Sequence, residues 1–158
     1  MTYRNIMVPF DGSESAMNAL TEAKSLAQID TSSMLHVVNV APIPESQMLM
    51  MVDPNALEVQ PAYYNLEEFK ALREKALEEK REELRKTIAP YVDDLTTAME
   101  IKVVNGNSPA DAIVNYAKQH DCDVIVMGCR GLGAIRGMLG SVSYGVIRAA
   151  EIPVLIVK

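Results

Sequence analysis

Gly128-Cys-Arg-Gly131 follows directly on the apolar run at residues 124–127, and Gly133 and Gly140-Ser141-Val142-Ser143 come after it. Glycines thus cluster where a strand would hand over to a helix. Glycine tolerates positive φ, so consecutive backbone N–H groups can converge on an anion, and a helix start adds unpaired donors and a favourable dipole. The chemistry such a spacing serves is the holding of phosphates. The segment reads as a nucleotide phosphate site.

Two better-defined phosphate motifs do not account for it. A P-loop needs two glycines five apart followed by Lys-Ser or Lys-Thr, and the chain has no such string. A dinucleotide fingerprint needs GxGxxG after the first strand, whereas Gly131-Leu-Gly133-Ala-Ile-Arg136 lacks the third glycine and follows the fourth. Glycines also serve tight turns that hold nothing, and the residues alone leave both readings open.

Other reactive side chains are sparse. Cys122 and Cys129 lack the His/Cys cluster that would complete a zinc site, so they are expected as reduced thiols, with Cys129 beside Arg130 a redox-sensitive spot at most. His36 lies inside an apolar run and His120 at a helix end, neither with an evident catalytic partner. No Ser-His-Asp arrangement can be argued. No catalytic residue and no protein-bound metal is assigned, and hydrolysis of a bound nucleotide would at most be slow.

These residues need elements to position them. The 158 residues fall in the range of one domain, expected to span 1–158, and the net charge of −6 argues against a nucleic-acid or anionic-membrane surface. No apolar run reaches the length of a membrane span and the first residues carry no long apolar signal region, so a cytoplasmic protein is expected. Strand-like runs at residues 4–10, 35–40, 99–104, 124–127 and 153–157 alternate with helical patterns.

The first helix follows Asp11-Gly12, with Ser13 as its N-cap and Ala16, Ala19, Leu20, Ala23, Leu26 and Ala27 on one face. A second runs over 66–88 with Leu66, Phe69, Ala76, Leu77, Leu84 and Ile88 inward and a solvated charged surface. The third starts at Ser108-Pro109 and presents Ala110, Ile113, Tyr116 and Ala117; the last covers 141–150. Residues 41–64 break this rhythm with Pro42, Pro44, Pro54 and Pro61 and Met48, Met50 and Met51. They are expected to form a long mobile loop, with a lid or partner-binding segment as the alternative.

Alternation with near-continuous apolar strands specifies a doubly wound α/β fold, a parallel sheet with helices on both faces. Ligands then sit beyond the carboxyl ends of the strands where the strand order reverses, so the loops after the first and fourth strands, with Asp11 and Gly128, should wall one crevice.

Pro9-Phe-Asp11-Gly-Ser13-Glu-Ser, Leu35-His-Val-Val, Gly106-Asn-Ser-Pro109-Ala-Asp-Ala-Ile113, Gly128-Cys-Arg-Gly131 running to Gly140-Ser141-Val142-Ser143, and Pro153-Val-Leu-Ile-Val together resemble the universal stress protein family. The resemblance covers all but the 41–88 region. It implies a five-stranded parallel sheet in the order 3-2-1-4-5, a homodimer formed through the last strand, Val154–Val157, and, in one branch of the family, bound ATP. In that branch nine residues separate the GxxG from the following Gly-Ser; here eight, Leu132 through Leu139, lie between Gly131 and Gly140.

Carried over by position, Pro9 and Asp11 would lie near the adenosine, with Asp11 accepting from ribose hydroxyls, and Val37 would offer its backbone to the adenine edge. Gly128, Arg130, Gly131 and Gly133 would embrace the phosphates, and Gly140, Ser141, Val142 and Ser143 would supply amides and hydroxyls. Arg136 is a further phosphate partner to consider. ATP, or AMP or ADP, is the implied ligand, with magnesium held mainly by phosphates and water. The implied role is regulatory or stress-responsive; a dimeric scaffold without nucleotide and a slow nucleotide hydrolase are the alternatives.

Overall fold

The computed structural model describes residues 3–42, 66–132 and 138–158. Most of the 41–64 segment, the side chains of Leu66 and Phe69, and Gly133 and Arg136 lie outside the described residues. The elements are β1 (Asn5–Pro9), α1 (Glu14–Ala27), β2 (Met34–Ala41), α2 (Leu66–Val92), β3 (Ala98–Asn105), α3 (Pro109–Gln119), β4 (Val124–Gly128), α4 (Ser141–Ala149) and β5 (Val154–Val157).

All strand pairings are parallel and the order is β3-β2-β1-β4-β5. The strand order reverses between β1 and β4, which opens a crevice at their carboxyl ends. Successive side chains on a strand point to opposite faces, and the two faces form two cores. Ile6, Val8, Val37, Ile101 and Val126 pack under α1 and α2, while Met7, Val38, Ile125 and Met127 pack under α3 and α4.

Local signals account for the helix starts. Ser13, in extended conformation, accepts the Ala16 N–H and caps α1; Pro109 opens α3, whose Ser108 makes no side-chain cap. The α1 face is buried as the spacing predicts, with Leu26 only partly covered. Helix α2 runs past Pro90 to Val92, beyond the expected end at residue 88. Ala76, Leu84 and Ile88 are buried, and Leu77 packs against the core cluster that holds Leu84 and Ile88. Among the described residues, no helix is long and apolar enough to cross a membrane.

Candidate functional site

A cleft of about 490 Å³ lies at the carboxyl ends of β1 and β4. Pro9, Phe10 and Asp11 line it from the end of β1, and Gly128, Arg130 and Gly131 from the end of β4. Gly140, Ser141, Val142 and Ser143 line it from the start of α4. Nine of the eleven residues singled out in the sequence are therefore neighbours in one hollow.

The turn after β1 is held by Asp11, whose Oδ1 accepts the Ser13 N–H at 2.9 Å. Gly12 takes φ of +83°, a conformation open to glycine at little cost. The other carboxylate oxygen, Oδ2, faces Gly131: a Cβ on that glycine would lie 2.7 Å from it. This carboxylate and the glycine loop thus approach each other across the crevice because the second glycine has no side chain.

Every carbonyl of the Gly128-Cys129-Arg130 run is engaged by a protein donor. Ser143 Oγ donates to Gly128 O at 2.9 Å, Gly140 N–H to Cys129 O at 2.8 Å, and the hydroxyls of Ser13 and Ser15 to Arg130 O at 3.2 and 2.5 Å. Lone pairs that would repel an anion are thereby occupied. Close approach of α1 is what makes this possible, since a Cβ on Gly128 would collide with Ser15.

Helix α4 begins with Gly140 as its N-cap, which has no side chain to cap with; the first helical bond runs from Tyr144 N–H to Gly140 O at 2.9 Å. The amides of Ser141, Val142 and Ser143 are left as the unpaired donors that any helix start carries, and the dipole puts partial positive charge there. With the Arg130 guanidinium, the arrangement suits an anion.

Val37 is the exception to the sequence reading. Fully buried under α1 and α2 and paired with Val8 and Ile101, it does not line the cleft; Val38, Asn39 and Val40 do. Strand alternation places the side chains: Val38 and Val40 share the α3/α4 face and Val37 points to the other, whereas the expectation for Val37 concerned its backbone. Gly133 lies outside the described residues.

Sequence reasoning also missed Asn39, whose Nδ2 donates to Phe10 O at 2.7 Å and fastens the end of β1 to β2. A polar residue inside the apolar Val37-Val-Asn-Val40 run was the available signal. Pro109 and Ile113 complete the α3 wall. Among the described residues, no group of three His, Cys, Asp or Glu side chains could hold a metal ion.

A doubly wound α/β sheet with a cleft at its switch point, part apolar wall and part glycine loop, defines the class of protein. The sequence profile described as the universal stress protein family matches residues 2–158, and the chain belongs to that family. It is 32% identical over 157 residues to a universal stress protein of Thermus aquaticus, covering 99% of each chain. The solved structure of MJ0577, a universal stress protein of Methanocaldococcus jannaschii, superposes with a TM-score of 0.72 at 26% identity, covering 100% of this chain and 97% of that one. A universal stress protein in complex with cAMP superposes with a TM-score of 0.63 at 26% identity, covering 100% and 98%.

Proposed function

We propose that the cleft binds an adenine nucleotide, ATP or its shorter relatives AMP and ADP, and that the bound nucleotide governs a regulatory role in the stress response. The observation that carries this reading is the engagement of three successive carbonyls, at Gly128, Cys129 and Arg130, directly beside the uncapped start of α4. A loop that hides its acceptors next to free amides is organised for an anion. Asp11, across the crevice, offers a carboxylate suited to ribose hydroxyls, and the Val38–Val40 strand end and Pro9 supply apolar wall for the base. The related structure with cAMP supports an adenine nucleotide over other anions. Magnesium would ride on the phosphates and water, without a dedicated protein cage.

The same reading includes one domain over 1–158, a cytoplasmic location, and a homodimer with two-fold symmetry through β5. The two sheet edges differ in a way that supports the dimer. On β3, Glu100 and Lys102 form an ion pair at 3.1 Å, whereas β5 is Val-Leu-Ile-Val, with Leu155 43% exposed. Charge guards the β3 edge against pairing, and among the described residues the β5 strand itself carries only apolar side chains.

Native mass spectrometry of the isolated protein tests both parts. Dimer mass carrying adenine nucleotide is the expected result. The eight-residue spacing between Gly131 and Gly140 favours one other reading, a dimeric scaffold without nucleotide. That reading is the correct one if the protein carries none and its Tm is unmoved by millimolar ATP with magnesium.

A further inference from the structure

His36 lies on β2 on the same sheet face as Val38, two residues short of the cleft wall, and is 5% exposed. Its Nδ1 is 3.2 Å from the Tyr116 hydroxyl and 3.5 Å from Oε2 of Glu100. Its Nε2 is buried and has no hydrogen-bond partner among the described residues. The His120 ring stands 5.8 Å from the His36 ring and 4.0 Å from that of Tyr116, centroid to centroid.

The titratable and charged groups around this imidazole come from three sides. Strand β3 contributes Glu100, itself paired with Lys102; α3 contributes Tyr116, with His120 just past its end; the turn beyond contributes Cys122, close enough to Tyr116 to influence it. Strand β1 contributes only Met7, apolar and fully buried. The network assigns the neutral tautomer with hydrogen on Nδ1, directed at Tyr116 and Glu100, which leaves Nε2 as a bare lone pair. A second proton must therefore land on Nε2, where no acceptor waits among the described residues and the His120 ring stands nearby.

We infer that His36, His120, Tyr116 and Glu100 form a proton-responsive clasp between α3 and the sheet, which opens in acid and loosens the helix that also supplies the Pro109 and Ile113 wall of the cleft. Burial, opposed by Glu100 and assisted by His120, holds the His36 imidazole below its ordinary value of 6.5. In the unfolded or opened chain that value is regained, so the open form takes up the proton first. The clasp is at full strength above about 6.5 and weakens as pH falls toward the folded value, by up to about tenfold per pH unit in the closed-to-open ratio.

The test combines imidazole nitrogen NMR with amide hydrogen exchange on the whole chain between pH 8 and 5. His36 should stay neutral on Nε2 down to below 6.5, and amides at 116–120 should lose protection, relative to β1 and β4, progressively from about 6.5 downward, levelling off once His36 in the closed form charges. His36→Asn keeps a donor at the Nδ1 position and takes no proton, so its α3 protection should be flat with pH. His120→Gln should let His36 charge at a higher pH and reduce the loss of α3 protection in acid. A His36 already charged at neutral pH, a wild-type α3 whose protection does not respond to acid, or an unchanged pH response in His36→Asn would each overturn the inference. The first two are read on the unaltered protein, so they decide the matter even where a variant fails to fold.

Discussion

Gly145 of α4 and Ala110 of α3 meet so closely that a Cβ on the glycine would lie 2.8 Å from the alanine Cβ. Each helix carries one wall of the cleft, Pro109 and Ile113 on α3 and Val142 and Ser143 on α4, so this contact sets how near the walls stand. Gly145→Ala should push them apart, costing about 1–3 kcal/mol of stability as overpacking does and lowering nucleotide affinity about tenfold. Adding Ala110→Gly should return both Tm and affinity toward wild type. Calorimetry on the single and double variants checks it, and a double variant no better than the single refutes the spacing argument.

The two glycines of the GxxG should behave differently on substitution. Gly128→Ala drives a methyl into Ser15 and the α1 backbone, so it should lower Tm, with a cost of about 1–3 kcal/mol. Among the described residues, Gly131→Ala meets only the exposed Asp11 carboxylate, which can swing aside. Its Tm should stay near wild type while nucleotide binding falls. Thermal melts paired with titrations distinguish the two.

Asp11 has one oxygen on the Ser13 amide and one toward Gly131. Asp11→Asn keeps an oxygen for the turn and loses the charge, so folding should persist while binding weakens by about tenfold or more, the scale of a charge-assisted hydrogen bond. Equal affinity in Asp11→Asn would remove the carboxylate from the ribose site.

The thiol of Cys122 is pushed up to about 11 by burial, with Asp123 and Asp121 adding to the shift. A raised value keeps the thiol protonated, and the thiolate is the form that reacts. Alkylation by iodoacetamide at pH 8 should therefore leave Cys122 untouched in the folded protein and modify it in denaturant. Peptide mass spectrometry reads the outcome, and rapid native labelling would contradict the burial.

Much of this was legible in the residues because the signals were local. Apolar runs located all five strands, Ser13 and Pro109 marked helix starts, and the glycine spacing pointed to the loop beside α4. What failed had no local signature. The Leu35-His-Val-Val-Asn-Val40 run is apolar on both sides, as a central parallel strand is, so its pattern does not say whether Val37 or Val38 faces the crevice. Proline reads as a stop, yet α2 continues two residues beyond Pro90, where the lost hydrogen bond falls in the last turn. The tie between Ser15 and Arg130 spans 115 residues and belongs to tertiary packing alone.

That tie gives the first helix a share in whatever happens at the arginine. Two α1-side serines clasp the main chain of Arg130, while the neighbouring Cys129 amide is bonded to Val157 at the exposed margin of the sheet, so these two residues are tied to separate elements. Tension on the guanidinium would be delivered to α1 on one side and to the β5 border on the other. Exchange of the proposed nucleotide would thus be felt at the outer surface without a hinge.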